Sequence, residues 1–236
     1  MLFSVIIPCY NEEKNIENLV NEFKKIVEKH YPIELVLVNN GSIDNSAKVL
    51  DEVSKVNQFV KVVTVEKNQG YGFGILSGLK EATGNYLGWM HADLQTSPSE
   101  ICKCISYLKH HNYPTNVFQR GTRRNRPILD TIFTIGMSCF ESLLFKTKLW
   151  DINAQPTMFS RSFYKTWVEP PKDFSLDLYV YVLAQKQHLQ VRRFPIQQHR
   201  RVAGVSSWNT GIVSRIKLAK SVIAYSKTLQ QSLQNK

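Results

Sequence analysis

The chain has 236 residues, 43% of them hydrophobic and 21% charged, a balance that suits a folded globular protein and excludes disorder, collagen and coiled coil. Four cysteines, Cys9, Cys102, Cys104 and Cys139, are too few and too scattered for a disulfide framework or a zinc site, and read as reduced thiols of a cytosolic protein. The formal charge of +11 is unevenly placed: residues 1–100 hold nine Lys and Arg against 13 Asp and Glu, whereas residues 178–236 hold ten against none. That acid-free stretch suits phosphate groups, an anionic lipid surface or nucleic acid, and reads equally as a solvated basic face.

Phe3 to Ile7 is a short apolar run stopped by Pro8, the pattern of a buried parallel strand. No basic segment precedes it, so a secretion leader is not expected. From Asn15 onward Ile16, Leu19, Val20, Phe23, Ile26 and Val27 recur with helical period. Strands are then expected at Glu34 to Val38, Val60 to Val65 and Tyr86 to Met90, with helices at Ser46 to Val56 and Phe73 to Ala82 between them. Ser97-Pro98-Ser99-Glu100 spells a capping box and predicts a helix from Pro98 to His110. Further on, the pattern gives strands at Asn116 to Gln119, Thr157 to Ser160 and Gln190 to Pro195. Helices are expected at Leu129 to Phe145, Leu176 to Gln187 and Thr210 to Leu229. The apolar run from Thr131 to Phe145, interrupted by Glu141, falls short of the ~20 residues that span a bilayer, so no integral membrane segment is expected. No linker or repeat divides the chain, which reads as one domain over residues 1–207 with a basic helical extension over 208–236. Alternating strands and helices imply an α/β fold with a mainly parallel sheet covered on both faces.

In such sheets the ligand lies beyond the carboxyl ends of the strands. The segments there are Pro8-Cys9-Tyr10-Asn11-Glu12, Asn39-Asn40-Gly41-Ser42-Ile43-Asp44, Lys67-Asn68-Gln69-Gly70 and His91-Ala92-Asp93-Leu94-Gln95. Taken with the strands before them, the motifs ending at Glu12, Asp44 and Gln95 resemble glycosyltransferase family 2, in order and spacing, over roughly residues 3–207. The run RVAGVSSW at 201–208 is similar to the C-terminal signature of the family's polyprenyl-phosphate sugar transferases and surface-polysaccharide transferases. The resemblance implies the GT-A fold, a Rossmann-like mixed sheet. It also implies inverting transfer from a nucleotide-diphosphate sugar, with a divalent cation, Mn or Mg, as cofactor.

The resemblance places Pro8, Tyr10, Glu12, Asn39, Asn40, Asn68, Gly70, Ala92 and Gln95 around the donor, Tyr10 stacking on the base and Glu12 accepting ribose hydroxyls. Tyr10 and Glu12 also read as a turn aromatic and an acid at a helix N-terminus. Asn39 and Asn40 stand where the family usually has acids; an amide donates as well as accepts, so a different base preference is expected. Asp44 fits a turn or helix cap. Gly70, Gly72 and Gly74 would let backbone and helix N-terminus approach the donor, with a plain turn as the alternative. His91, Asp93 and Gln95 alternate on an extended segment and so point the same way. They match the family's metal motif, usually Asp-x-Asp: Asp93 is expected to contact metal and diphosphate, His91 and Gln95 to add ligands. Imidazole favours manganese over magnesium, and His91 reads also as a hydrogen bonder behind the ligands.

Three arginines crowd Gly121 to Arg126 after a strand, and guanidinium forks bind phosphate oxygens bidentately. The resemblance gives Arg123 and Arg126 to phosphates, Arg123 with a catalytic role on the departing charge, and gives Arg201 the third phosphate position; Arg124 and Arg200 read as solvated. Asp177 sits near where the family carries its base or acceptor-side acid; a sugar hydroxyl acceptor would need a base and an ionised lipid phosphate would not. Asp177 reads also as a helix-dipole contact. The segment from Thr131 to Trp150, and Trp208, Ile212, Ile216 and Lys217 in the basic tail, suit an anionic bilayer; a core helix and a dimer-forming helix fit equally. The expectation is a cytoplasmic enzyme, with peripheral contact at the inner face of the cell membrane and homo-oligomerisation left open. Its partners would be a nucleotide sugar and a polyprenyl phosphate or saccharide acceptor. A degenerate, non-catalytic relative binding a nucleotide sugar or a protein is the alternative, opposed by the retention of Asp93, Gln95, Arg123, Arg126 and Arg201. No nucleic-acid motif is present.

Overall fold

The computed structural model describes residues 1–125, 127–199, 201 and 212–234, the side chains of 212–218 and 234 excepted. The first half follows the alternating pattern. Strand β1 (Phe3–Cys9) leads into α1 (Glu13–Glu28), β2 (Ile33–Asn40), α2 (Ser46–Val56), β3 (Val60–Val65), α3 (Tyr71–Glu81) and β4 (Tyr86–Trp89). Then come α4 (Glu100–His110), β5 (Val117–Arg124), α5 (Ile128–Phe145), β6 (Thr157–Ser160), α6 (Arg161–Tyr164), α7 (Leu176–Lys186), β7 (Gln190–Gln197) and α8 (Ile212–Gln234). The strands form one seven-stranded sheet in the order β3-β2-β1-β4-β6-β5-β7. All pairings are parallel except those of β6, which runs against β4 and β5.

Period-two alternation divides the core between the two faces. Val5 and Ile7 of β1 pack with Ile16, Leu19 and Phe23 of α1, while Ile6 packs on the opposite face with Ile75 and Leu79 of α3. Each of these side chains is essentially solvent-free, and burying one stabilises the fold by about 1.5–3 kcal/mol.

Several boundaries differ from the expected ones. The capping box does not form: Glu100 pairs with Lys103 at 2.5 Å, and Ser97 Oγ accepts the Ser99 N–H at 3.3 Å, so α4 begins at Glu100. Strand β5 continues to Arg124 because β7 offers it a parallel partner, with Arg123 opposite Ile196 and Arg124 opposite Gln197. Arg123 and Arg124 therefore stand on a strand and not in the loop beyond it. The short helix α6 was not expected; Ser160 caps it by accepting the Phe163 N–H at 3.3 Å.

Helix α5 begins earlier than expected and reaches 18 residues with a mean hydropathy of 1.5, long and apolar enough by length and composition to cross a membrane. The expected helix begins at Leu129, one residue later, and the expected apolar run at Thr131. Most of its surface is open, with Ile128, Leu129, Ile132, Phe133, Ile135 and Leu143 exposed. Its inner side is tied to α8, where Ser226 Oγ donates to Glu141 Oε1 at 2.7 Å and Gln230 Nε2 to the Leu144 carbonyl at 2.8 Å.

Candidate active site

A cavity of about 410 Å³ opens at the carboxyl ends of the central strands, within the ~300–1,000 Å³ usual for small-molecule sites. The strand ends supply its polar part, with Pro8, Tyr10 and Glu12 after β1, Asn40 from β2, Asn68 after β3, and His91, Ala92, Asp93 and Gln95 after β4. Arg123 and Arg201 line the same cavity, as do Phe133 and Met137 of α5 and Ala219 and Val222 of α8.

Glu12 is held by Asn15, whose amide donates to Oε2 at 2.5 Å, and by the bond from its own N–H to Ser46 Oγ at 2.9 Å. Burial raises its carboxyl above the usual range. Asn39 and Asn40 separate in role. Asn39 turns its Oδ1 to the Ser42 N–H at 3.1 Å and is not among the lining residues. Asn40 lines the cavity and donates from Nδ2 to the Gly70 carbonyl at 3.1 Å. Asp44 is a cap: its two oxygens take the N–H groups of Ser46 at 2.9 Å and Glu13 at 3.3 Å.

Two of the glycines also have a local structural reason. Gly70 has φ +111°, a conformation suited to glycine, and its N–H bonds to Asn68 Oδ1 at 2.9 Å. A Cβ at Gly74 would lie 2.9 Å from Asn40 Cγ, so this glycine makes room for the Asn40 amide.

Asp177 is the largest correction. It is 1% exposed and lies beneath the cavity, so it is not placed as a base for an acceptor hydroxyl. Trp89 Nε1 donates to its Oδ1 at 3.3 Å, Arg120 Nη2 stands 3.5 Å away, and the Tyr71 hydroxyl also bonds to it. Burial pushes this carboxyl up, and Arg120 and His91 oppose the shift. Gln155 donates to the Tyr71 hydroxyl, and the Tyr71 ring lies 5.4 Å from His91 and stacks on Phe174 at 4.7 Å. The floor under His91 is thus a buried polar network, in which Arg120 Nε and Gln155 Oε1 find no hydrogen-bond partner among the described residues.

Asp93 is nearly buried, its Oδ1 accepting the Gln95 N–H at 3.1 Å and its Oδ2 accepting from Arg201 Nη2 at 2.9 Å. The other arm of Arg201 stands 3.6 Å from Glu12 Oε1. One guanidinium therefore bridges the acids after β1 and β4. Arg123 is fixed by Asp151: its Nε and Nη2 lie 2.9 and 2.5 Å from Asp151 Oδ1, and its N–H donates to Oδ2 at 2.8 Å. Burial pushes the Asp151 carboxyl up, but Arg123 outweighs it and holds the group below the usual carboxylate range.

Among the described residues no cluster of three His, Cys, Asp or Glu gathers to hold a metal. Arg126, Arg200 and Trp208 lie outside the described residues, as do the side chains of Ile212, Ile216 and Lys217. Arg120, Asp151, Tyr71 and Gln155 were not singled out from the sequence. Trp150-Asp151 stands alone in its segment, and only the fold brings it to Arg123.

Glycosyl transferase family 2, as a family model, matches residues 4–166. An undecaprenyl-phosphate 4-deoxy-4-formamido-L-arabinose transferase of Proteus mirabilis is 35% identical over 105 residues, covering 44% of this chain and 32% of that protein. The chain thus matches about a third of that relative's length. A UDP-N-acetylglucosamine–dolichyl-phosphate N-acetylglucosaminyltransferase of Methanococcus voltae is 27% identical over 217 residues, covering 83% of this chain and 85% of that one. Among solved structures, the glucosyl-3-phosphoglycerate synthase of Mycobacterium tuberculosis, in complex with Mn2+, UDP-glucose and phosphoglyceric acid, superposes with a TM-score of 0.76 at 13% identity. It covers 98% of this chain and 80% of that one. The fold is that of the GT-A glycosyltransferases.

Proposed function

The chain belongs to glycosyl transferase family 2, and from that premise we propose that it transfers a sugar, with inversion, from a nucleotide-diphosphate sugar to a polyprenyl phosphate. One observation carries the reading: the polar strand ends and the apolar sides of α5 and α8 line a single cavity, together with two arginines. A nucleotide sugar suits the first surface and an isoprenoid chain the second. The two curated relatives described above are both named for transfer to such lipid phosphates.

In this reading Tyr10 and Glu12 take base and ribose, Asn40, Asn68 and Ala92 line the donor's path, and Asp93 faces the diphosphate. A divalent cation, when bound, would neutralise charge on the departing diphosphate. Asp93, His91 and Gln95 would hold it; with no third His, Cys, Asp or Glu gathered beside Asp93 and His91 among the described residues, they fit a cation completed by the donor better than a free-standing site. Arg123 and Arg201 bind phosphate oxygens. A lipid phosphate is already ionised and attacks without a base, which agrees with Asp177 lying under the floor. The exposed apolar residues of α5, beside an acid-free C-terminal quarter, support peripheral contact with an anionic membrane.

The test is thermal unfolding against UDP-, GDP- and CMP-sugars, with and without Mn2+, paired with transfer to undecaprenyl phosphate in detergent. One nucleotide class should stabilise the wild type, by about 2.7 kcal/mol at a hundredfold excess over Kd, and Asp93→Ala should remove the effect. No shift and no transfer across the panel would overturn the reading in favour of a non-catalytic relative.

A further inference from the structure

Asp151 performs no step in the chemistry above, yet it is tightly constrained just behind the cavity wall, beside the lining residue Ile152. It is 3% exposed and adopts φ +45°, a left-handed conformation uncommon outside glycine. Its carboxylate accepts from Arg123 Nε, Nη2 and backbone N–H, all within 2.9 Å. A guanidinium held at two nitrogens and at its own backbone has one pose left. On its other side Asp151 hangs from α5, its N–H donating to Ser138 Oγ at 3.1 Å. One turn further along α5, Ser142 Oγ donates to the Leu149 carbonyl at 2.9 Å and accepts the Leu149 N–H at 3.0 Å. Two serines four apart lie on one helix face, so α5 and the segment around Asp151 form one body. Arg193 closes the far side, Nη1 donating to the Trp150 carbonyl at 2.6 Å and Nη2 to the Gly121 carbonyl at 2.9 Å.

We propose that Asp151 is the positioning residue of Arg123, and that Ser138 makes the arginine's pose depend on the seat of α5. The inference rests on the reading of Arg123 as a phosphate ligand. Helix α5 carries both ends of the link: Phe133 and Met137 line the cavity, while Ile128, Leu129 and Ile132 face outward. When a polyprenyl chain or lipid leaflet settles α5, the link Ser138–Asp151–Arg123 sets the guanidinium where the chain's phosphate must arrive. Acceptor binding and phosphate recognition become one event.

Farnesyl phosphate, a short polyprenyl phosphate, tests this by calorimetric titration of the full chain as wild type, Arg123→Ala, Asp151→Asn, the double variant and Ser138→Ala, with a melting curve for each. Arg123→Ala and Asp151→Asn should each weaken binding about tenfold, and the double variant should be no weaker than Arg123→Ala alone, the signature of one residue acting through the other. Ser138→Ala, which leaves the Asp151 N–H without its acceptor, should weaken binding about threefold while its melting curve stays cooperative and only modestly lowered. Unchanged affinity in Asp151→Asn beside a loss in Arg123→Ala would overturn the positioning role, as would losses that add in the double variant, the mark of a merely structural acid. Wild-type affinity in Ser138→Ala would overturn the link to α5. If Arg123→Ala itself binds normally, the phosphate reading of Arg123 fails first and this proposal with it.

Discussion

The two halves of the chain place their charges in opposite ways. Up to α4 the interior is mainly aliphatic and aromatic, Asp93 being the exception among charged groups, and the pairs made within this half lie at the surface, as with Lys25 and Glu22 or Lys55 and Asp51. From β5 onward Arg120, Glu141, Asp151 and Asp177 are all inside, at 0–3% exposure, while the apolar residues of α5 face outward. The first half is held by removing hydrocarbon from water, a force without direction. The second has an apolar core too, with Phe118, Phe159, Leu178 and Val180, and adds directed contacts that stabilise little for their cost but fix where groups point. Under the proposed function, that suits a donor half that is a scaffold and an acceptor half that meets a lipid.

The contrast breaks most sharply at Asp177. Replacing it with asparagine leaves the Arg120 guanidinium buried without its counter-charge and should cost about 3–5 kcal/mol, read as a lower urea midpoint. An Asp177→Asn variant with native stability and no turnover would instead mark a catalytic base, and would undo the placement of this acid beneath the floor.

Glu141 sharpens the same contrast with the opposite sign. Burial lifts its carboxyl to about 7, partly offset by Ser226. An unfolded glutamate ionises first, so between about pH 4.5 and 7 the folded state binds more protons and stability falls as pH rises, with the full penalty present above pH 7. Glu141→Gln should flatten that slope and raise stability at pH 8 by on the order of 2–3 kcal/mol. The reading fails if wild type and variant show the same pH profile.

Arg201 carries a smaller effect. Its guanidinium is partly exposed but pairs with the nearly buried Asp93, so Arg201→Ala should lower stability by about 1–2 kcal/mol. Freed of its guanidinium, Asp93 should accept Mn2+ more readily, and Mn2+ alone should then raise the variant's melting temperature more than the wild type's. An identical response in both would show that Arg201 and the cation do not compete.

How much could be read from the sequence divides along the same line. In the first half each strand and helix has its own period, and the strand ends are consecutive residues, so Tyr10, Glu12, Asn68, His91 and Asp93 were legible as one wall. Asn39 and Asn40 were not separable, because which amide turns inward depends on the Ser42 and Gly70 partners that folding supplies. In the second half Asp177 looked like a base since its burial comes from Trp89 and Arg120, 88 and 57 residues away. Asp151 was missed for the same reason, its partner Arg123 being 28 residues upstream. Local patterns report faces; they do not report which charges a fold will bring together.

The smallest change in stability belongs to the outward face of α5, where the contrast has its functional edge. Ile132 is 60% exposed, so aspartate there removes little from the core and should shift stability by within ~0.5 kcal/mol. If the face is solvent-exposed in use, nothing else should follow. If it rests on lipid, a carboxylate must enter the headgroup region of an anionic bilayer, where it is both desolvated and repelled. Flotation with vesicles rich in phosphatidylglycerol should then recover wild type with the lipid and leave Ile132→Asp behind, with turnover on a detergent-solubilised acceptor unchanged. Equal flotation of both proteins would show that the inverted placement of apolar residues in the acceptor half serves something other than a membrane.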